Sequence, residues 1–264
     1  SGVAAWQRDT DHIEKALVFG GFPARNGVSA ALIVQLGGTG VADIFSGDDN
    51  FLMTFAPAAS PAALIDKLGE RFEVTRTNIK KWTVGSPIQA PLDAIEIIRK
   101  RRPFNTDEVQ SVNVRVATSE AKTVNDRQMR SISLQHMVAV MLVDRTISFE
   151  AAHDTRRLQD PAVLRERAKV RLVPDEELER RYPRREAIVE ITLADGTKLS
   201  ERVGAVRGTS DNPMTRDEVA AKARDLMTPV IGTAKAERLI KTVLMLETVK
   251  DIRTLRPLLQ RDRS

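Results

Sequence analysis

The sequence predicts an α+β protein in which an all-helical domain carries a smaller, inserted α+β domain. Apolar residues recur at helical spacing before residue 70 and after residue 215, whereas alternating, strand-like runs occur only between them. Residues 1–70 hold four basic and eight acidic side chains, a net charge of −4, although the whole chain has a net charge of +5. The changes in pattern and charge predict three parts, which are residues 1–71, 72–207 and 208–264.

The composition is typical of a globular protein with an aliphatic core. The 264 residues are 42% hydrophobic but only 4% aromatic, so Ala, Val, Ile, Leu and Met must fill the interior. The absence of cysteine excludes disulfides and cysteine metal sites. No apolar run is long enough to span a bilayer, and Ser1–Thr10 lacks the features of a signal peptide. We therefore expect a cytoplasmic protein with no membrane partner.

The first part is predicted to be helical. Residues 9–19 predict a first helix, which Gly20-Gly21 and Pro23 are expected to end. A second helix is predicted from Ala24 to Leu36, and a short third helix over residues 61–69.

The middle part combines strands and helices. Its clearest local signal is Asp195-Gly196 between two alternating runs, residues 187–193 and 198–203, which predicts a β-hairpin. The other predicted elements are extended segments at 72–75 and 79–82, a helix over 90–102, strands over 109–116 and 170–173, and an apolar helix over 133–143.

Helices return after Asp211-Asn212-Pro213 ends the strand pattern. Thr215 and Glu218 form a capping-box signature at the start of a helix over 215–227, and a further helix is predicted over 234–246. In the simplest arrangement, these closing helices pack on the opening ones.

The basic residues do not indicate a nucleic-acid partner. Two clusters stand out, Arg99–Arg102 and the group formed by Arg180-Arg181 and Arg184-Arg185. The two clusters contain a single aromatic residue, Tyr182 in the second, whereas a single-strand-binding surface would need several for base stacking. We interpret both clusters as solvated faces.

No standard catalytic or cofactor motif is present, neither a phosphate-binding glycine loop nor a zinc-protease or hydrolase signature. Three scattered histidines do not indicate a metal site. His12 and Lys15 lie on one helical face, where the lysine favours an anion over a metal cation. His136 is the lone histidine of an apolar helix, so a core position and a catalytic position both remain open for it. Lys80, which precedes a loop, is compatible with either a solvated or an anion-binding role.

Five stretches, in order along the chain, carry a resemblance to a known family. Their residues are Asp11–Ala16 with Gly20–Ala31, Lys80–Asp93, Ser133–His136 with Met141–Asp144, Ala194–Thr197, and Arg207-Gly208 with Asn212-Pro213. Together they resemble the MmgE/PrpD family, in which H-x-x-K precedes a G-x-A-A-R-N-G-V stretch and a K-G-x-x-x-N-P segment follows a D-G hairpin. That family includes 2-methylcitrate dehydratase, cis-aconitate decarboxylase and iminodisuccinate epimerase.

The resemblance implies an all-helical domain with an α+β lid, an active site in the cleft between them, and a homodimer. It also implies that a long helical region precedes the H-x-x-K point in family members. We therefore expect this chain to be the C-terminal part of such a protein, with an upstream helical segment as its partner. The chemistry of the family needs neither a metal nor a redox cofactor.

The resemblance also assigns candidate catalytic residues. Lys15 and Lys80 match two lysines of the decarboxylase-type site, and His136 stands where those members have a tyrosine. Gly85 replaces a histidine of the decarboxylase, and Gln89 replaces a histidine found in many members. These two departures argue against cis-aconitate decarboxylation specifically, but they leave a general anion site in place.

The predicted function is a cofactor-independent, hydro-lyase-type reaction on a small di- or tricarboxylate, similar to 2-methylcitrate dehydration. Such a substrate needs cations to bind it, a base to remove a C–H proton and an acid to help hydroxide leave. The catalytic candidates are Lys15, Lys80 and His136, and the substrate-binding candidates are His12, Arg25, Ser86, Gln89 and Gln135. The alternatives are an epimerase, isomerase or decarboxylase of the same family, or a non-catalytic fragment or binding module that lacks the upstream half of its site.

Overall fold

The computed structural model describes residues 17–55 and 58–261. The chain divides between Thr75 and Arg76 into two compact units. The predicted start of the first helix, with His12 and Lys15, lies outside the described residues.

In the described part of the first unit, helical backbone continues through the two glycines. A π-helix covers Leu17–Gly21, and helix α1 follows directly over Phe22–Gln35. The predicted break at Pro23 is therefore wrong. Proline occupies the second position of α1, where its fixed φ is compatible with helical backbone.

The remaining described elements of the first unit are short. Helix α2 covers Phe51–Phe55, and 3₁₀ turns cover Pro61–Leu64 and Glu73–Arg76. The helix predicted over 61–69 forms only its first turn, and the strand predicted over 72–75 is wrong. Between residues 18 and 80, no side chain that the structure describes is buried, so no partner strand or core stabilises these apolar segments.

The second unit contains one four-stranded sheet within its described residues. Its strands are β1 (Val109–Ala117), β2 (Val170–Asp175), β3 (Ala187–Leu193) and β4 (Lys198–Val203), in the order β2-β1-β3-β4. Strands β1 and β2 are parallel, while β3 is antiparallel to both β1 and β4. The predicted hairpin joins β3 to β4, and Gly196 supplies the positive φ of its turn, +83°.

Helices cover and follow this sheet. They are α3 (Ser86–Arg101), α4 (Thr118–Val124), α5 (Leu134–Asp144), α6 (Phe149–His153), α7 (Pro161–Arg167), α8 (Glu176–Glu179), α9 (Arg216–Ile231) and α10 (Thr233–Leu244). Short 3₁₀ segments occur at Thr106–Glu108, Arg130–Ile132, Thr155–Gln159, Leu246–Thr248 and Ile252–Leu259. Helix α3 packs against β3, β4 and α5, and α5 packs against β2 and α7. This mixture of helices and a small mixed sheet confirms the α+β class.

Aliphatic side chains form the core of the second unit, as the composition predicts. The fully buried set includes Ile88, Leu92, Ile95, Leu142 and Ile191. Helix α5 is buried on almost every side, which explains why its sequence is apolar all round. None of the described helices combines the length and the apolar content needed to cross a lipid bilayer.

The contrast between the two units can be measured with one pair of substitutions. Leu142→Ala should lower the free energy of unfolding by about 2–5 kcal/mol, because it leaves a cavity around a fully buried site. Leu32→Ala, at a position of α1 that is 53% exposed, should change it by less than about 0.5 kcal/mol. Denaturant titration followed by circular dichroism measures both values, and equal losses would contradict this view of the core.

Candidate functional site

Four segments of the second unit enclose a pocket of about 300 Å³, a volume at the lower end of small-molecule sites. They are Asn78–Lys80, the first turn of α3 with Ser86 and Gln89, the loop Pro183–Arg185 before β3, and the loop Gly204–Asp211 after β4. The pairing of Ala187 with Val203 brings the last two segments together, because the chain enters β3 and leaves β4 at the same end of the hairpin.

Gly208 allows two walls of the pocket to touch. Its carbonyl accepts a hydrogen bond from the Ile79 N–H at 2.7 Å, and its own N–H donates to the Asn212 carbonyl at 2.8 Å. Its φ is +96°, and a Cβ at this position would lie 1.8 Å from the Ile79 oxygen. Only glycine fits this conformation and this close approach, which gives the Arg207-Gly208 motif a physical reason.

A buried carboxylate braces the same walls. Asp93 of α3 is 5% exposed; one of its oxygens accepts the Trp82 indole N–H at 2.9 Å and the other accepts the Arg207 backbone N–H at 2.8 Å. Burial raises the pKa of Asp93, and the two N–H donors oppose that effect. Asp93 therefore connects α3 to the segments on both sides of the pocket.

Gln89 braces the loop that follows Lys80. Its buried amide accepts from the Trp82 N–H at 3.1 Å and donates to the carbonyls of Trp82 and Val84 at 2.9 and 3.2 Å. These contacts occupy the amide with backbone groups, so the binding of a substrate carboxylate by Gln89 stays a prediction. Ser86 is half-buried and lines the pocket at the start of α3.

Four cationic side chains line the pocket, and carboxylates hold Arg207 and Arg185 in place. Arg207 forms an ion pair with Glu218 and donates to the Asn212 side-chain oxygen at 2.7 Å. The guanidinium lowers the pKa of Glu218 to about 2. Arg185 pairs at 2.5 Å with Glu120, which is buried.

The other two cations are Lys80 and Arg184. The exposed Lys80 places its ammonium nitrogen 3.4 Å from the Val84 carbonyl, and its own carbonyl accepts from the Lys222 ammonium. Arg184 makes no side-chain hydrogen bond or ion pair with any residue that the structure describes. Asp211 is the acidic residue that lines the pocket. Sequence reasoning missed Arg184 and Asp211, because only the strand pairing brings them beside Lys80.

His136 lies apart from this pocket, in the interior of α5, at 1% exposure. Neither ring nitrogen has a hydrogen-bond partner within the described part of the chain. Burial lowers the pKa of His136 to about 4, and the positive charges of three arginines add to the effect. The imidazole is therefore neutral at pH 7, and the structure does not bring it together with Lys80.

The other predicted site residues that the structure describes do not line the pocket either. Gln135 lines a separate hollow with Arg167, and its amide bonds to the Asp126 N–H at 2.9 Å and to the Asn125 side chain at 2.7 Å. Arg25 is exposed on α1 of the first unit. His12 and Lys15 are outside the described residues, so the structure gathers Lys80, Ser86 and Gln89 from the predicted set. No cluster of three or more potential metal ligands occurs in residues 17–55 or 58–261.

The close contact at Gly208 predicts a large difference between two glycine substitutions. Gly208→Ala should destabilise the second unit by at least about 3 kcal/mol, since strain at positive φ adds to the clash with Ile79. The matched control is Gly196→Ala, where φ is +83° but nothing lies within 4 Å, and it should cost about 1–2 kcal/mol. Urea unfolding of the two variants measures the difference, and equal costs would refute the clash.

The buried His136 predicts an acid-dependent loss of stability. Its pKa is about 4 in the folded chain and about 6.5 when unfolded, so the unfolded state binds more protons between these values. Stability should fall by up to about 3 kcal/mol from pH 6.5 to pH 4 through this group alone.

Comparison of wild type with His136→Leu isolates that contribution, since other groups titrate equally in both. The variant should lack this part of the pH dependence, whereas replacement of the exposed His153 of α6 by leucine should retain it. Free energies of unfolding measured at half-unit pH steps give the result. A pH profile unchanged by His136→Leu would show that the ring is not buried and neutral.

Two curated proteins align with most of this chain at low identity. A cis-aconitate decarboxylase-like protein of Aspergillus oryzae is 24% identical over 250 residues, 88% of this chain and 52% of the relative. The mouse cis-aconitate decarboxylase is 24% identical over 260 residues, 91% of this chain and 51% of the relative. The chain therefore spans about half the length of these curated relatives. The MmgE/PrpD C-terminal domain matches residues 82–248, which include most of the pocket and more than half of the chain. The resemblance inferred from the sequence is confirmed, and this chain belongs to the MmgE/PrpD family.

Proposed function

We propose that this chain forms part of a lyase-type enzyme that removes water from a small di- or tricarboxylate, in a reaction similar to 2-methylcitrate dehydration. The observation that carries the proposal is the pocket of about 300 Å³ in which Lys80, Ser86 and the Gly208 loop converge. Family membership and the decarboxylase names of the relatives support the coarser part of the proposal, a lyase-type reaction.

The charges of the pocket suit an anionic substrate. The Arg185 and Arg207 guanidinium groups are held by Glu120 and Glu218 and form fixed walls. Lys80 also lines the pocket with an exposed side chain, and an ammonium on a flexible stem is suited to binding a carboxylate as a point charge. A hydrogen bond from Ser86 can orient the same carboxylate.

Dehydration requires a proton to leave the carbon next to a carboxylate and hydroxide to depart from the neighbouring carbon. The electrons of the broken C–H bond then form the C=C bond, so no oxidant or metal is needed. Besides Arg185 and Arg207, the described residues that line the pocket include the titratable groups Lys80, Arg184 and Asp211. We propose that Lys80 binds the substrate and that proton transfer is completed by groups outside the described part, with Lys15 as the candidate.

The environment of Gly85 argues against decarboxylation of cis-aconitate specifically. Gly85 donates its N–H to the Ser131 carbonyl at 2.7 Å, and a Cβ here would lie 3.1 Å from the Ile132 side chain. The histidine that the decarboxylase-type site carries at this position would crowd Ile132. Decarboxylation is the second candidate reaction, because the curated relatives are named as cis-aconitate decarboxylases.

The alternative to an enzymatic function is that this chain is a non-catalytic binding module. The described residues of the first unit bury no side chain, and α1 exposes apolar groups such as Val28 and Val34. We propose that an upstream helical segment covers this surface and completes the site, as the sequence resemblance implies. Without such a segment, the pocket would bind an anion but would not turn it over.

Ligand binding tests the proposed site directly. Tricarballylate, a tricarboxylate, should raise the melting temperature of the chain at millimolar concentration in buffer of constant ionic strength. Lys80→Ala should weaken this binding by about tenfold or more, because one charge-assisted contact is lost. The matched control is Lys198→Ala, which removes an exposed lysine of β4 that does not line the pocket.

Scanning fluorimetry over a ligand titration provides the affinities. Wild-type protein that shows no shift, or Lys80→Ala protein that shows the full shift, would reject Lys80 as the anion-binding group. A loss of binding in Lys198→Ala equal to that in Lys80→Ala would indicate nonspecific charge attraction.

A further inference from the structure

We propose that Arg184 binds a second carboxylate of the ligand and thereby makes this pocket selective for anions with at least two carboxylates. The inference rests on the proposed function, since it concerns the same pocket. It assigns a specificity-determining role to Arg184, which belongs to a basic cluster that the sequence pattern predicts to be a solvated face.

Arg184 differs from the other arginines of its cluster. Arg181 lies 2.8 Å from a carboxylate oxygen of Glu186, and Arg185 lies 2.5 Å from one of Glu120. Arg180 and Arg184 have no ion pair or side-chain hydrogen bond within the described part of the chain. Of these two, Arg184 lines the pocket and Arg180 does not. The unpaired guanidinium is therefore placed where a ligand can meet it.

The backbone on both sides holds Arg184 at the pocket. Pro183 restricts the preceding backbone, and the Arg184 N–H donates to the Arg181 carbonyl at 3.1 Å. After it, the Arg185–Glu120 pair and the alignment of Ala187 with Val203 fix the chain as it enters β3. This anchoring lowers the entropy that the segment would lose when a ligand binds.

The chemistry of the side chain defines the ligand. A guanidinium presents two parallel N–H donors that match the two oxygens of a carboxylate, whereas Lys80 offers a single point charge. A ligand with one carboxylate can place that carboxylate against only one of these groups. A dicarboxylate or tricarboxylate can contact both, which gives the pocket a preference based on the number of charges.

Matched ligands test this preference without assuming a distance between the two cations. Succinate and glutarate are compared with succinamate and glutaramate, in which one carboxylate is replaced by a neutral amide of similar shape. Isothermal titration at constant ionic strength measures each affinity for wild type, Arg184→Gln and Arg180→Gln. The last variant removes the same charge from the same cluster outside the pocket.

For at least one ligand pair, wild type and Arg180→Gln should bind the dicarboxylate about tenfold more tightly than its mono-amide. Arg184→Gln should reduce that ratio to below threefold, mainly by weakening the dicarboxylate. Because Arg184 is exposed and unpaired, its replacement should leave the circular dichroism spectrum and the unliganded melting temperature unchanged. Arg184→Lys, which keeps the charge but loses the paired donors, should give an intermediate ratio.

The experiment distinguishes failure of the Arg184 role from failure of the proposed function. A ratio that is unchanged in Arg184→Gln would overturn the role of Arg184, while the Lys80 pocket and the proposed function would stand. An equal reduction in Arg180→Gln would also overturn it, because the effect would then be one of overall charge. If wild type binds none of the four ligands and also fails to bind tricarballylate, the proposed function falls together with this inference.

Discussion

The rest of the site depends on the hydrogen bonds of the Asp93 carboxylate. It is buried, and its two oxygens hold the Trp82 indole and the Arg207 backbone amide. A buried carboxylate is costly unless its oxygens are satisfied, and here the two donors belong to segments more than 100 residues apart along the chain. Helix α3 thus fixes both the loop that carries Lys80 and the loop that carries Gly208. The pocket therefore forms because Asp93 connects these distant segments, and no local motif accounts for it.

Local patterns predicted those elements that local interactions determine. The Asp195-Gly196 turn and the Thr215–Glu218 capping box form as expected, because hydrogen bonds between near neighbours in sequence stabilise them. Strand β1 also forms as predicted, although its partners β2 and β3 lie far from it along the chain. The extended segment predicted at 72–75 does not form a strand, since a strand needs a partner that its own sequence cannot specify. The pocket could not be predicted from local patterns for the same reason, because its walls come from segments that are distant in sequence. Lys80 and Ser86 were found through the resemblance, whereas Arg184 becomes visible only once β3 and β4 are paired.

His136 shows how burial changes the meaning of a residue. In sequence, an imidazole next to a family motif suggests proton transfer, and an isolated histidine in an apolar helix suggests a core position. The structure places it in the core, without a hydrogen-bond partner among the described residues, and near arginines that disfavour its protonated form. Those surroundings keep the ring neutral at physiological pH.

Glu218 has two functions at once. Its carboxylate accepts the Thr215 N–H at 2.7 Å, which completes the first turn of α9, and it also holds the Arg207 guanidinium. The start of the helix and the wall of the pocket therefore share one anion. A ligand that drew Arg207 away would remove one of the two partners of this carboxylate, and a rearrangement of the first turn of α9 would move the carboxylate that holds Arg207. A change at either place is therefore transmitted to the other through a single side chain.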